Sequence, residues 1–179
     1  MLTLGTPAPK FNLPDVVSGD RVTLDRFQGK KALLVMFICR HCPYVKHVQT
    51  ELAKLGRDYA SKGVGIVAIS SNDAVAYPED SPEGLKEMAL ELDFNFPFCF
   101  DESQDMARDY AAVCTPDFFL FDAARRLAYR GRLDGSRPRS EEPVTGEELR
   151  GAINALLAGE PVDADQKPSI GCSIKWRTP

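Results

Sequence analysis

The sequence predicts an α/β fold in which a mixed central β-sheet is flanked by helices, and two observations lead to this class. A nearly all-apolar run at residues 32–38 is followed by an amphipathic helical pattern at 42–61 and a second apolar run at 64–70. That order is typical of a βαβ unit with parallel, buried strands. Two strand-like segments at 117–122 and 126–132 are separated by only three residues, which permits only an antiparallel hairpin.

The N-terminal third contains the first elements in chain order. Residues 7–30 mix Pro, Gly and Asp with short apolar pieces, a pattern that predicts an N-terminal hairpin extension. The strand at 32–38 is far shorter than the roughly 20 apolar residues that a membrane-spanning helix needs. The helix that follows places Val45, Val48 and Leu52 on one face, at spacings of three and four residues, so we expect it to pack on the sheet.

The middle of the chain continues the alternation of strands and helices. A loop at 71–80 follows the second parallel strand, and we interpret its acidic part as a solvated surface. Ser81 is the predicted cap of the next helix and Pro82 its first residue. A short strand at 96–100 and a helix around Met106 then precede the predicted hairpin.

The C-terminal part adds one helix and a tail. Thr145 and Glu148 have the spacing of a capping box, which predicts a helix that stops at Gly159. The last twenty residues, 160–179, lack periodicity but include the only tryptophan, so we expect a tail packed on the body. No internal repeat is visible, and we expect residues 1–179 to form one domain.

Composition excludes several classes of partner and location. The chain has 22 Lys and Arg against 26 Asp and Glu, for a net charge of −4, which argues against nucleic acid and anionic membranes as partners. Its N-terminus has no basic region leading into an apolar stretch, so we expect a cytoplasmic protein. The five cysteines are an odd number and are widely spread apart from one close pair, unlike the framework of a small secreted domain.

The close pair, Cys39 and Cys42, lies where the first strong strand meets its helix. Residues three apart on a first helical turn are neighbours, so their sulfurs can form a disulfide. We expect Cys39 to cap the helix, where free N–H groups lower its pKa below about 8.5. Arg40 adds a fixed positive charge and His41 adds a second one when protonated, and each would stabilise the reduced form and make the disulfide more oxidising. Cys39 would attack a substrate disulfide, and Cys42 would release the product.

The cysteine pair could also belong to a zinc site or form a purely structural disulfide. A zinc site is disfavoured because the other cysteines form no second CxxC motif and His47 lies on the same helix. A purely structural disulfide is disfavoured because so small a loop removes little entropy from the unfolded chain. We therefore predict no metal and no cofactor.

A resemblance to a known family rests on several segments together. They are Cys39-Arg40-His41-Cys42-Pro43-Tyr44-Val45-Lys46-His47, Ser71-Asn72-Asp73 with Tyr77-Pro78-Glu79-Asp80-Ser81-Pro82, Val113-Cys114-Thr115-Pro116-Asp117, and Ser169-Ile170-Gly171-Cys172-Ser173-Ile174-Lys175-Trp176. Over residues 5–158 the chain is similar to the thioredoxin superfamily, and its opening Ala8-Pro9-Lys10-Phe11-Asn12-Leu13-Pro14 resembles the start of the redoxin branch. Within that branch it resembles bacterial peroxiredoxin-like proteins that retain a CxxC motif.

The resemblance implies a thioredoxin fold and a thiol-disulfide oxidoreductase, with a disulfide-bearing protein as substrate and a thiol reductant as partner. It also implies that Pro116 is cis and packs against the cysteine pair, with the Thr115 backbone available to pair with substrate. His41 stands where strong oxidants of the superfamily have a histidine, which predicts a potential above thioredoxin's roughly −270 mV. Thioredoxin's buried Asp is Leu33 here, so a proton acceptor for Cys42 is missing or comes from elsewhere.

A thiol peroxidase is the main alternative. Peroxiredoxins have their peroxidatic cysteine where Cys42 stands, so Cys42 could attack peroxide and Cys39 could resolve it. Their essential Arg is replaced by Thr115 here, which removes a stabiliser of the thiolate unless Arg130 or Arg132 takes its place.

Copper handling by a redoxin fold and a non-enzymatic binding module are further alternatives. The copper role needs a distant histidine ligand, and the two histidines both lie close to the cysteine pair. Of the other cysteines, Cys99 is interpreted as a buried apolar residue, and a contact between Cys114 and Cys172 is a hypothesis. The oligomeric state is not predicted.

Overall fold

A computed structural model describes residues 1–179 of the chain. Its strands are β1 (Asn12–Pro14), β2 (Arg21–Thr23), β3 (Ala32–Phe37), β4 (Val64–Ser70), β5 (Phe98–Phe100), β6 (Cys114–Thr115), β7 (Asp117–Phe121), β8 (Leu127–Gly131) and β9 (Cys172–Ser173). Its helices are α1 (Pro43–Tyr59), α2 (Pro82–Glu91), α3 (Asp105–Asp109) and α4 (Glu147–Leu157).

Five of these strands form the central sheet, in the order β5-β4-β3-β7-β8. Strands β3, β4 and β5 are parallel, whereas β7 is antiparallel to β3 and β8 is antiparallel to β7. Val35 in the central strand pairs with Val67 on one side and Phe119 on the other. The predicted mixed α/β sheet is therefore confirmed, and so is its antiparallel hairpin.

The central sheet is buried on both faces, which explains why β3 and β4 are apolar along their whole length. Side chains on a strand alternate between faces, so Leu34 and Met36 belong to one core and Leu33 and Val35 to the other. The first core holds the apolar stripe of α1 together with α2 and α4. The second is closed by the N-terminal segment and α3.

The N-terminal extension is the predicted hairpin, with β1 antiparallel to β2. Buried Asp15 lies in its turn and accepts hydrogen bonds from Val17 N at 3.2 Å and Ser18 Oγ at 2.8 Å. The same carboxylate accepts the N–H of Phe98 at 3.2 Å, which attaches the hairpin to the edge strand β5.

The start of α4 differs from the predicted capping box. The residue before the helix is Gly146, with φ of 69°, and no side chain caps the helix there. Buried Asp134 instead accepts the N–H groups of Thr145 at 2.8 Å and Gly146 at 2.7 Å. The capping-box prediction is wrong because a buried carboxylate from the loop after β8 replaces the local Thr145 hydroxyl.

The C-terminal tail packs on the body, as expected. Its strand β9 pairs antiparallel with β6, and Ile174 is buried in the second core. Trp176 is an exception, because 43% of its surface remains exposed and its ring lies beside the guanidinium of Arg108. No helix in the chain has the length and apolar character to cross a membrane.

Candidate active site

The two cysteines of the CxxC motif lie in the short segment between the carboxyl end of β3 and the start of α1. Both are fully buried, and both are free thiols. Cys39 Sγ lies 3.3 Å from Thr115 Oγ1, and Cys42 Sγ lies 3.4 Å from the Thr115 carbonyl oxygen. The fold thus brings together residues that are more than seventy positions apart in the chain. The peptide bond between Thr115 and Pro116 is cis.

Cys42, and not Cys39, stands at the N-terminal cap of α1, with φ of −70° and ψ of 125°. The prediction for Cys39 is wrong because of Pro43. Proline is favoured at the first helical position, and it forces the residue before it into an extended conformation. The helix therefore cannot begin earlier, and Cys39 lies in the loop outside it.

Cys42 is the more acidic thiol of the pair. The hydrogen bond from the Cys39 thiol lowers the pKa of Cys42 most, and burial opposes it. The thiol of Cys172, the hydroxyl of Thr115 and the N–H of Val45 add to the lowering, which brings the pKa to about 4. The Thr115 carbonyl oxygen can accept a hydrogen bond only from the protonated thiol, so that one contact acts against ionisation.

Cys39 shifts in the opposite direction. Its hydrogen bond to Cys42 raises its pKa, and burial and the negative charge of Asp80 raise it further. The two thiols titrate as a pair, with the pKa of Cys42 lowered and that of Cys39 raised. This direction is opposite to the expectation from sequence that the pKa of Cys39 is lowered.

Asp80 organises the turn between the cysteines. Its carboxylate is fully buried and accepts the backbone N–H of Arg40 at 2.7 Å and of His41 at 3.1 Å. It also accepts the amide of Asn72 at 2.9 Å and contacts Nδ1 of the His41 ring. Sequence reasoning missed this residue by treating the acidic part of the loop at 71–80 as a solvated surface. The signal was available, because Asp80 falls within one of the segments that carry the family resemblance.

The side chain of Arg40 points away from the sulfurs. Its guanidinium binds the carboxylate of Glu87 at 2.7 Å and the carbonyl of Gly84 at 3.2 Å, both on α2. Arg40 therefore joins the active-site turn to α2, and its charge is neutralised there. The expected electrostatic effect on the thiolate is not among the causes of either cysteine's shift.

His41 is held between Asp80 and the ring of Tyr77. The two rings stack at a centroid distance of 4.9 Å and an interplanar angle of 20°. Ligand-type atoms of Cys39, His41 and Asp80 lie within 4.8 Å of one another, and such residues can hold a zinc ion. The Asp80 oxygens, however, already accept hydrogen bonds from two backbone N–H groups and the Asn72 amide. The cluster therefore fits a hydrogen-bonded network better than a metal centre.

A third thiol, Cys172, reaches the pair from the tail. In the β6–β9 ladder it stands opposite Thr115, whereas Cys114 stands opposite Ser173. Neighbouring residues on a strand point to opposite faces, so Cys172 is directed toward Cys42 and away from Cys114. In agreement with this direction, Cys172 packs against the buried cluster that holds Cys39 and Cys42, and it contributes to the lowered pKa of Cys42.

The hypothesis of a contact between Cys114 and Cys172 is therefore wrong, because the strand register separates them. Burial raises the pKa of the Cys114 thiol to about 12, and the same cause raises that of Cys99 to about 12. Both are buried thiols, and Cys99 belongs to the second core as expected.

The two arginines proposed to serve a peroxidase do not bind the cysteine pair. Arg132 binds both carboxylate oxygens of Glu148, at 2.7 and 3.0 Å. Arg130 lies in a cavity lined also by Asp117 and Ser169. Neither guanidinium has a hydrogen bond to Cys39 or Cys42 in the structure.

Comparisons with known proteins agree with this fold. The family model described as Redoxin matches residues 3–149. Protein FixW of Rhizobium leguminosarum is 26% identical over 138 residues, which cover 74% of this chain. The chain spans only 62% of the length of FixW.

Solved structures extend the comparison over the whole chain. An uncharacterized conserved protein from Geobacillus kaustophilus is 54% identical with a TM-score of 0.98, covering 100% of this chain and 95% of its own. A hypothetical protein from Sinorhizobium meliloti 1021 is 46% identical with a TM-score of 0.98, covering 100% and 97%. The thioredoxin domain of a thiol-disulfide oxidoreductase from Bacteroides vulgatus has the same fold, at 23% identity and a TM-score of 0.62 over 73% and 89%.

Proposed function

This chain belongs to the Redoxin family, in the thioredoxin superfamily, and on that premise we propose that it is a thiol-disulfide oxidoreductase acting on protein disulfides through Cys39 and Cys42. The observation that carries the proposal is the pair of buried free thiols at the start of α1, both within 3.4 Å of Thr115, in which the pKa of Cys42 is lowered to about 4. A thiolate at neutral pH is the form of cysteine that attacks disulfides.

The first step in the reducing direction belongs to Cys42. Its thiolate attacks one sulfur of the substrate disulfide, which forms a mixed disulfide and releases the other substrate sulfur as a thiolate. Cys42 then carries no negative charge, so the main cause of the raised pKa of Cys39 is removed. Cys39 can now ionise, and its proton goes to the departing thiolate.

The second step closes the internal disulfide. The Cys39 thiolate attacks Cys42, the bond between Cys39 and Cys42 forms, and the remaining substrate sulfur leaves and takes up a proton from water. One dithiol and one substrate disulfide thus become one internal disulfide and two substrate thiols. Run in reverse with a reduced substrate, the same steps insert a disulfide.

Substrate positioning is assigned to Thr115 and Pro116. Thr115 contacts both sulfurs and lies on the short strand β6, next to the cis bond. A substrate segment that paired with the backbone of Thr115 would bring its disulfide to Cys42. The partner that re-reduces the protein is proposed to be a cellular thiol.

Trapping the mixed disulfide tests this assignment. In the double variant Cys39→Ser, Cys172→Ser neither thiol can resolve the mixed disulfide, so a disulfide-bearing protein such as insulin should remain covalently attached to Cys42. The Cys42→Ser variant should trap nothing and should lose insulin reduction. Covalent capture through Cys39 in the Cys42→Ser variant, with none in the double variant, would restore the order of attack expected from sequence.

Peroxide reduction is the second candidate, and one observation favours it. The acidic cysteine is Cys42, directly before Pro43, which is the position that the peroxidase alignment assigns to the attacking thiol. Cys42 would take one oxygen from peroxide as a sulfenic acid, and Cys39 would displace water to form the disulfide. The missing arginine beside the thiolate argues for slow turnover. Peroxide consumption faster than insulin reduction by the same reduced protein would favour this candidate.

A further inference from the structure

We propose that Cys172 is a third redox thiol of this site, which forms a disulfide with Cys42, and that the tail carrying it occupies the strand edge on which a substrate would pair. The inference rests on the proposed function of Cys39 and Cys42 and extends it. It gives the C-terminal tail the role of an internal substrate.

The first support is the strand pairing. The tail strand β9 is antiparallel to β6, and this pairing sets Cys172 directly opposite Thr115. Thr115 is the residue whose side chain and carbonyl contact the two active-site sulfurs. A protein substrate that used this backbone edge would have to displace the tail. The edge is therefore occupied by a segment that itself contains a cysteine at the position facing Cys42.

The second support is the close fit of the tail against Thr115. A Cβ atom added to Gly171 would lie 2.7 Å from the carbonyl carbon of Thr115 and would overlap its oxygen. Only glycine permits this approach, because real Cβ atoms do not come that close to a carbonyl carbon. The tail therefore requires glycine at position 171 to pack this closely against the backbone of Thr115.

The third support is that the tail is anchored on both sides of Cys172. Before it, Ser169 Oγ donates to Asp117 at 2.7 Å. After it, the backbone of Lys175 accepts the N–H of Asp73 at 2.8 Å and donates to the side chain of Asn72, also at 2.8 Å. Asn72 in turn binds Asp80, so the tail is tied to the network that shapes the active-site turn.

The fourth support is the placement of the three thiols. Cys172 packs against the buried cluster that contains Cys39 and Cys42, and it stands opposite Thr115, whose hydroxyl lies 3.3 Å from the Cys39 sulfur. Cys39 and Cys42 are fully buried, whereas Cys172 is only partly buried. The tail thiol therefore links the buried pair to the surface.

The exchange that connects the three thiols needs no external oxidant. Starting from the Cys39–Cys42 disulfide, the thiolate of Cys172 attacks Cys42, the Cys42–Cys172 bond forms, and Cys39 leaves as a thiolate that takes up a proton. One disulfide breaks and one forms, so the oxidation state of the protein does not change. The product leaves Cys39 as a free thiol.

The test isolates the Cys42–Cys172 bond by removing Cys39. The reduced Cys39→Ser variant is treated with oxidised glutathione, and the disulfides are assigned by peptide mass spectrometry. Cys42 attacks glutathione disulfide and releases one glutathione, and Cys172 then displaces the second. We expect an internal Cys42–Cys172 bond, and we expect a control that also carries Cys114→Ser to form it equally well.

The double variant Cys39→Ser, Cys172→Ser separates the role proposed for Cys172 from the proposed function of the Cys39–Cys42 pair. It should retain one glutathione on Cys42, which reports the reactivity of Cys42 itself. If both the double variant and the Cys39→Ser variant end with glutathione on Cys42, the inference about the tail fails and the proposed function stands. If Cys42 does not react with glutathione disulfide in either variant, both are overturned.

Displacing the tail tests its position in the wild-type background. Gly171→Ala should force β9 away from Thr115 and increase the rate of Cys42 alkylation by iodoacetamide at least several-fold. Gly151→Ala is the matched control, because a Cβ at Gly151 meets nothing within 4 Å. Buried Cys99 should stay unlabelled in both, which verifies that the fold is intact. Equal rates of Cys42 alkylation in Gly171→Ala and wild type would overturn the claim that the tail covers the site.

Discussion

At the scale of single residues, the chemistry depends on which of the two cysteines occupies the N-terminal cap of α1. Cys42 receives the cap position because Pro43 comes next, and its neighbours Cys39, Cys172, Thr115 and Val45 lower the pKa of its thiol. Cys39 lies outside the helix, next to the negative charge of Asp80. The same CxxC motif can therefore hold its thiolate at either position, and contacts from distant segments decide which.

The pH dependence of Cys42 reactivity follows from this environment. With its pKa lowered to about 4, Cys42 should be alkylated at a nearly constant rate from about pH 6 to 8, and the rate should fall only as the pH approaches 4. Thiolate absorbance at 240 nm gives an independent measure. Cys39→Ala removes the strongest hydrogen-bond donor and should move the titration to higher pH. A wild-type titration near 8.5 would contradict the assignment.

Asp80 is predicted to be a positioning residue of the turn. Asp80→Asn keeps the size of the side chain but sets an amide against the ring of His41 and the amide of Asn72. We expect a loss of about 1–3 kcal/mol in the free energy of unfolding, measured in urea, since buried donors lose their partner. Insulin reduction should fall as well. Glu79→Gln, in the same turn but exposed, should change stability by under about 0.5 kcal/mol.

The imidazole of His41 gives a prediction for the redox potential. His41→Phe keeps the backbone N–H that binds Asp80 and keeps an aromatic ring against Tyr77, but it removes the ring nitrogen that contacts the Asp80 carboxylate. Without that partner the negative charge of Asp80, which raises the pKa of Cys39, is less well compensated, so the reduced form is destabilised and the potential should become more negative. Equilibration with a glutathione buffer measures it. A wild-type potential at or below about −270 mV would refute the expected oxidising character.

At the scale of elements, helices α1, α2 and α4 differ in how the free N–H groups of their first turns are satisfied. Helix α1 uses Cys42 and Pro43, and α2 uses Ser81, whose hydroxyl accepts the N–H of Gly84 at 3.2 Å as predicted. Helix α4 has no side-chain cap and depends on Asp134 from another loop. The local sequence pattern thus predicted the cap of α2 correctly. It placed the cap of α1 at Cys39 instead of Cys42, and it gave α4 a Thr145 cap that the helix lacks.

A stability comparison tests the unexpected start of α4. Asp134→Ala removes the acceptor of two backbone N–H groups and should lower the free energy of unfolding by about 1–3 kcal/mol. Thr145→Ala should cost well under about 1 kcal/mol, because its hydroxyl makes only a 3.3 Å contact with Glu147 N. Equal losses in urea unfolding would indicate that the predicted capping box forms in solution.

At the scale of the whole molecule, the active site is built where three distant parts of the chain meet. The βαβ unit supplies the cysteines, β6 supplies Thr115, and the tail supplies Cys172. Asp117 joins two of these parts, because it starts β7 and binds Ser169 of the tail. Burial raises the pKa of Asp117 to about 6. Stability of the folded chain should therefore respond to its protonation.

The sign of this pH effect is opposite to that of an ordinary ion-paired aspartate. The folded chain holds a proton on Asp117 that the unfolded chain, with a pKa of about 3.9, has lost, so this contribution to stability decreases as pH rises from about 4 to 6. The total is on the order of 2 kcal/mol. Urea unfolding of wild type and Asp117→Asn at pH 4 and pH 7 isolates it. An unchanged difference between the two proteins across that range would contradict the shift.

The sequence by itself determined the architecture of this protein and the residues that can react. The apolar runs of β3 and β4, the stripe of α1 and the short gap between β7 and β8 are local patterns, and local patterns suffice because strand burial and helix amphipathicity have fixed periods. The spacing of Cys39 and Cys42 is local as well.

Only the tertiary structure decided which cysteine has the lowered pKa and what surrounds it. The carbonyl oxygen that accepts the Cys42 thiol comes from Thr115, the buried carboxylate comes from Asp80, and the tail register sets Cys172 rather than Cys114 opposite Thr115. These contacts join residues far apart in the chain, and no periodicity in the sequence encodes them. They form because the open edge of β6 and the buried N–H groups of the active-site turn must each find a hydrogen-bond partner.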